Sequence, residues 1–427
     1  MIDDNIKAFI LQRYEISSEP TQDLLILYRS NETLNEYKKK GLVKFQFNNY
    51  PISLSNVNKE QFLALYDDPD IESIEPDELF YLQLNEVSRL VKSSYIHNSF
   101  FGFSGKGVLI GLIDSGIDES HPDLANQLIG IHNFTEETNK DFIGHGTAIA
   151  GAICGNGNAS KGKFKGIALD AKLVLYKLFD KTGTCHFSEF IVCLEEIITD
   201  FSSQQIDLLC LPFINPIPSF KSQIIERYLQ ELNKLGIAII AAAGNFGPDP
   251  NSLGYPATSN WVISIGSYDD RIQPAFFSSR GFSSWPKSPD LIMKGTNIIT
   301  IKAYYVDFGV EYNPNPNYTI VSGSSISAGI MTGICAIIKE AFPLIKPNEL
   351  KEEILKHCYR VSNNDKAEGK GTFDLQTYFL NKNMVINNPI PYSILLKSAM
   401  KISIYFICAL TFLLFLIEYI LEKNRGL

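Results

Sequence analysis

GVLIGLIDSGID, residues 107–118, is an apolar run that stops abruptly on an acid, Asp114, and a glycine turn. It lacks the alternation of a half-buried strand, so both of its faces are expected to be covered. The same texture returns in KLVLYKL (172–178), IDLLCL (206–211), GIAIIAAAGN (236–245) and NWVISIGS (260–267). Between these runs, SEFIVCLEEIITD (188–200) and SQIIERYLQELNKLG (222–236) carry apolar residues at helical spacing. Buried strands alternating with helices predict an α/β fold, a parallel sheet flanked by helices.

In such a sheet the reactive groups gather at the carboxyl ends of the strands. Asp114 ends one strand and Asn245 another; DFIGHGTAIAG (141–151) sets His145 between two glycines, and VSGSSISAG (321–329) sets Ser324 and Ser325 at a helix start. A hydroxyl is a weak nucleophile until an imidazole takes its proton, and a carboxylate fixes the imidazole's tautomer. An asparagine adds a neutral donor for an oxyanion. Each residue alone is ordinary: a turn acid, a structural histidine, a serine cap.

Their combination is specific. DSGID, HPDL, GHGTAIAG, AAAGN, GYPA and GSSISAG occur in that order, with FFSSRG (276–281) and GKG (369–371) beside them. This set resembles the subtilisin-like serine peptidases, the subtilases, over about residues 84–380. The resemblance implies Asp114 as triad acid, His145 as general base, Ser325 as nucleophile and Asn245 as oxyanion donor, with no cofactor needed for the chemistry. It also implies a cis Tyr255–Pro256 bond and a peptide or protein substrate. Asp123 of HPDL matches a calcium-ligand position, with Asn156 and Asn158 of the loop GNGNASKGKF (155–164) as further oxygen ligands.

Two substrate edges depart from the family. Where Ser-Leu-Gly-Gly is usual, this chain has Cys210, Leu211, Pro212 and Phe213; proline lacks an amide proton and Phe213 adds bulk, so narrow specificity is expected. The second edge, TGTCHFSEF (182–190), offers Gly183, Cys185 and Phe187. Gly329 replaces a proline four residues after the nucleophile, which predicts a looser helix start.

Outside this region, residues 1–22 read as a lead-in and residues 23–83 as a small α+β, ferredoxin-like unit ordered strand, helix, two strands, helix, strand. That unit resembles the subtilase propeptide, an intramolecular inhibitor, with self-cleavage expected between Tyr81 and Asn85. Residues 381–401, rich in Asn and Pro, read as a linker. Residues 402–421, ISIYFICALTFLLFLIEYIL, carry one charge over a length able to cross a bilayer, and residues 422–427 form a short tail.

Seven cysteines in no regular spacing and an N-terminus without a basic export signal place the catalytic domain in the cytoplasm, held at a membrane by a single span. A net charge of −9 without basic blocks speaks against a nucleic-acid partner. The expected activity is a membrane-anchored endopeptidase that processes a narrow substrate, for example removing the leader of an exported peptide. The competing class, favoured by the altered edge and by Gly329, is a catalytically idle subtilase that binds peptides.

Overall fold

The computed structural model describes residues 4–17, 19–82, 102–217, 221–282, 287–304, 306 and 315–382. The chain begins with α1 (Asp4–Ile16), β1 (Thr21–Tyr28), α2 (Asn31–Lys39), β2 (Phe45–Gln46), β3 (Ile52–Asn58), α3 (Lys59–Tyr66), β4 (Ile71–Pro76) and β5 (Leu79–Leu82). Strands 2-3-1-4 form an antiparallel sheet, whose apolar face (Leu24, Ile26, Val57, Ile74) packs on Leu34, Phe62 and Leu65 of the helices. Local chemistry supports the turns: Ser30 caps α2, and Asn58 with Gln61 forms a capping box on α3.

The lead-in is more than a lead-in. Ile6, Ile10 and Tyr14 recur every four residues, and α1 lays that face on the same core, with Ile10 buried and the Tyr14 hydroxyl donating to Val57 O at 2.8 Å.

The larger part follows with β6 (Leu109–Asp114), β7 (Leu128–Asn133), α4 (His145–Cys154), β8 (Lys172–Lys177), β9 (Thr184–His186), α5 (Phe187–Asp200), β10 (Leu208–Leu211), β11 (Phe213–Ile214) and α6 (Gln223–Lys234). It continues through β12 (Ala238–Ala242), β13 (Val262–Tyr268), β14 (Leu291–Lys294), β15 (Ile298–Ile301), β16 (Tyr318–Val321), α7 (Ser324–Ala341), α8 (Pro347–Lys356) and α9 (Asp365–Glu368). Seven strands pair in parallel in the order 14-13-12-10-6-8-7. The chain starts this sheet at β6, fills one side through β7 and β8, then crosses to β10 and fills the other. The crevice beyond β6 and β10 is therefore the switch point where α/β sheets bind ligands.

Helix α7 is buried from Ser324 to Ile338 and packs on α4 and on strands β10, β12, β13 and β14. Its apolar texture is that of an internal helix. Gly329 has a packing role there: a Cβ would lie 3.1 Å from Ile149 Cγ2 and 3.5 Å from Ile149 O of α4. The small residue that reads as a loosened start is a contact point between two helices.

A separate unit, residues 99–102 and 376–427, carries most of α10 (Leu375–Asn381) in its described part. The apolar segment 402–421 lies outside the described residues, and among those described no helix is long and apolar enough to cross a membrane.

Candidate active site

Asp114 is the last residue of β6 and is fully buried. Its two carboxylate oxygens lie 2.8 and 2.9 Å from Nδ1 of His145, the first residue of α4, and Oδ1 also accepts the Ser115 amide at 2.7 Å. A carboxylate paired with Nδ1 makes that nitrogen the donor and leaves the lone pair on Nε2. Among the described residues His145 Nε2 is buried and has no hydrogen-bond partner. The approach needs glycine: a Cβ on Gly146 would sit 2.2 Å from Gly116 O and 3.0 Å from Asp114 Cβ. Gly116 of DSG is glycine for its own reasons, a φ of 135° and a Cβ position only 2.8 Å from Asp141 Cα.

Asn245 follows β12, and its Oδ1 accepts the Ser324 amide at 2.8 Å. The Ser324 hydroxyl in turn accepts the Gly244 amide at 2.9 Å. Two hydrogen bonds thus stitch the loop after β12 to the first turn of α7. With its oxygen engaged, the Asn245 side chain offers Nδ2 as its donating end. Ser325, buried, is the second residue of α7, so its amide lies in the helix's first turn, where amides point out of the helix start. His145 and Ser325 each stand one helical turn before the α4–α7 contact at Ile149 and Gly329, which brings the two helix starts to the same end of the sheet.

The two stretches expected to bind substrate each supply a strand beside β5. Strand β5, the end of the N-terminal domain, lies between β9 and β11 in a three-stranded antiparallel sheet. Leu82 pairs with Phe213 and Tyr81 with Ile214, while Phe80 pairs with Cys185 and the Leu82 amide donates to Gly183 O at 3.0 Å. Pro212 stands where the chain passes from β10 of the central sheet to β11, whose first residue, Phe213, pairs with β5. Phe213 is buried beside β5. Its ring is 5.0 Å from that of Phe80, which also meets Phe187 at 4.5 Å, Phe190 at 5.1 Å and Tyr255 at 6.3 Å.

Cys210 and Leu211 take a different place. Both belong to the central sheet, where Cys210 pairs with Leu112 and Ile240 and its thiol is pushed up to about 12 by burial. Cys185, the middle residue of β9, is likewise buried, its thiol raised well above the ordinary value by burial. Neither sulfur is a nucleophile at neutral pH.

The subtilase family profile matches residues 105–374, the stretch that contains Asp114, His145, Asn245 and Ser325. The chain belongs to the subtilase family. It is 31% identical over 268 residues to serine protease AprX of Bacillus subtilis (strain 168), covering 58% of this chain and 60% of that protein. To subtilisin E of the same organism it is 26% identical over 377 residues, covering 87% of this chain and 91% of that one. A solved structure, the S41 psychrophilic protease, superposes with a TM-score of 0.52 at 25% identity, over 60% of this chain and 84% of the other. This subtilase is a serine-type endopeptidase that needs no cofactor for its chemistry.

Calcium, which the family suggests for Asp123, is not what the residues around it fit. Asp123 is fully buried; Oδ1 accepts the Ala159 amide at 2.7 Å and Oδ2 accepts the Tyr318 hydroxyl at 2.6 Å. Burial and Asp123 both push the Tyr318 phenol upward, so the hydroxyl keeps its proton and donates. Asn156 Oδ1 accepts the Asn158 amide at 2.8 Å, and Asn158 Nδ2 donates toward Pro122 O. Calcium requires six to eight oxygen ligands with their lone pairs directed inward. Here proton donors cap the carboxylate on both sides.

Sequence reasoning passed over Ser115, Asp141 and Lys177. The signal for Asp141 lay in DFIGHG: α4 starts after a glycine, Gly144, that has no side chain to cap it, so an acid just upstream had to serve.

Proposed function

We propose that this subtilase cleaves peptide bonds through an acyl-enzyme on Ser325, with Asp114, His145 and Asn245 in the roles that their chemistry suits. The observation that carries the reading is the buried Asp114–His145 pair, with Nδ1 held at 2.8 Å and Nε2 left to take a proton. In the first step Ser325 Oγ attacks the scissile carbonyl carbon while its proton passes to His145 Nε2. Negative charge develops on the carbonyl oxygen, where the Ser325 amide and Asn245 Nδ2 donate to it. Collapse expels the amine, which takes the proton from His145. Water then repeats the sequence on the ester, with His145 as base, and releases the acid.

The N-terminal domain acts as the inhibitor of its own catalytic domain. Support comes from β5, which fills the groove between the two edges as a bound peptide would. The aromatic walls around Phe80 favour a substrate with a large aromatic or apolar residue at that position, a few residues before the cut bond. Residues 402–421 anchor the enzyme in a membrane from the cytoplasmic side, where it trims the leaders of exported peptides; their length and apolarity support this.

A fluorophosphonate probe tests the chemistry. Labelling of the wild type that is lost in Ser325→Ala is expected, and an unlabelled wild type, before and after removal of residues 1–82, would favour the idle peptide-binding module. N-terminal sequencing of the wild type beside Ser325→Ala reports self-cleavage. Digestion of the domain by protease added outside intact cells would overturn the cytoplasmic placement.

A further inference from the structure

Two carboxylates are buried at the start of α4, and the reaction uses only one of them. Asp141, only 2% exposed, accepts five hydrogen bonds. Its Oδ1 takes the Ser115 hydroxyl at 2.8 Å, the Gly144 amide at 2.7 Å and the Ile143 amide at 3.2 Å; its Oδ2 takes the Thr147 amide at 2.8 Å and the Thr147 hydroxyl at 2.7 Å. Asp141 therefore caps the helix that begins with His145, taking the Thr147 amide of its first turn and the Gly144 amide just before it, the place where a negative charge is most favourable.

Ser115 links this cap to Asp114. Its hydroxyl lies 2.8 Å from Asp141 Oδ1 and 3.1 Å from Asp114 Oδ1, so one proton is shared between two carboxylates, and its oxygen accepts the Gly146 amide at 3.2 Å. Below it Lys177, fully buried and paired in register with Asp114, donates to Ser115 O at 2.7 Å and Lys140 O at 3.0 Å. That ammonium also lies 3.5 Å from the Glu137 carboxylate. One cation thus clamps the turn after β6 to the turn before α4 and offsets part of the buried negative charge.

We propose that Ser115 and Asp141 are positioning residues: the Ser115 hydroxyl ties the Asp114 carboxylate to Asp141, and Asp141 holds the helix start that carries His145. The acid and the base come from different elements, and this bridge fixes their separation on the side away from the substrate. A misplacement of about 1 Å between reacting groups lowers rates by about a hundred-fold, so a loosened bridge is expected to be visible in rate before it is visible in fold.

The inference rests on the acyl-enzyme reading above, and the test separates the two. Full-length wild type, Ser115→Ala and Ser115→Thr are compared by the rate of fluorophosphonate labelling, with thermal melting alongside. Ser115→Ala should label about ten-fold or more slowly with little change in melting temperature, and Ser115→Thr, which restores the hydroxyl, should return to within about two- to three-fold of the wild type. Wild-type labelling by Ser115→Ala would overturn the bridge, as would equal slowing of both variants. If Ser115→Ala does not fold, Ser115→Cys fills the space with a weak donor, and slowing relative to Ser115→Thr is again the expected result. A wild type that labels neither before nor after removal of residues 1–82 overturns the acyl-enzyme reading itself, and the bridge with it.

Discussion

Asn245 has one end fixed. Its oxygen accepts the first amide of α7, which fixes where Ser325 begins, and its nitrogen is the end that can donate. Removing one oxyanion donor typically lowers turnover by about 10² to 10³. Asn245→Ala is accordingly expected to lose about that much kcat, with KM changed far less, because the donor acts on charge present only in the transition state. A purified variant whose kcat is within a few-fold of the wild type would remove Asn245 from the oxyanion site. Asp123 illustrates a different residue-scale lesson. HPDL reads as a calcium position, yet its partner is a tyrosine more than 190 residues later in the chain. No local pattern around Asp123 announces Tyr318, so the metal expectation was reasonable and the donor set could be found only in three dimensions. Chelation with EGTA should leave the melting temperature unchanged to within about 1 °C. Tyr318→Phe should destabilise by roughly 1–3 kcal/mol, since it leaves a buried carboxylate oxygen without its donor. A drop of several degrees on chelation would restore the calcium site.

At the scale of elements, the contact between α4 and α7 is what makes two distant motifs one site. Gly329 faces Ile149, and one turn later a Cβ on Gly333 would lie 2.6 Å from Ile167 Cβ and 3.0 Å from Ile153 O. Alanine improves helix propensity by about 1 kcal/mol over glycine, but overpacking a rigid contact costs about 1–3 kcal/mol. Gly333→Ala should therefore be destabilising on balance in a urea melt, and more so than Gly329→Ala, whose nearest neighbour is the end of a side chain. Equal midpoints for the two variants would argue against this packing. The buried strands, the chain order of the four motifs and the α+β order of the N-terminal domain were legible because each rests on local periodicity or local chemistry. Helix α1 was legible in principle, through Ile6, Ile10 and Tyr14, but was passed over because it precedes the first strong signal. Pro212 marks the passage between two sheets, with Leu211 ending β10 in the central sheet and Phe213 opening β11 against β5, a division that no local pattern in this stretch announces.

At the scale of the whole molecule, the N-terminal domain is held by more than β5 between β9 and β11. Glu75, fully buried, accepts the Ser222 hydroxyl at 2.5 Å and the Gln223 amide at 2.8 Å at the start of α6. Asp77 accepts the Ser188 amide at 2.8 Å and hydroxyl at 2.7 Å at the start of α5. In return Glu195 of α5 accepts the amides of Asn48 and Asn49 at 2.8 and 2.7 Å. Both docking carboxylates are nevertheless raised above their ordinary values, chiefly by burial, which outweighs the hydrogen bonds that favour the charged form. A carboxyl with a higher pKa when docked than when free takes up a proton on docking. Its contribution to docking is complete below the free value, near 4.5 for Glu75 and 3.8 for Asp77, and is lost as pH rises through the docked value. Docking should therefore tighten as the solution is acidified from neutral pH toward these values and weaken again on return. Hydrogen exchange in Ser325→Ala, which cannot cut itself, reads this directly: after correction for intrinsic exchange rates, the amides of Tyr81 and Leu82 should be more protected at pH 5 than at pH 8. Greater protection at pH 8 would mean that the helix starts stabilise the charged carboxylates more than burial penalises them, and would reverse the sign of the pH dependence.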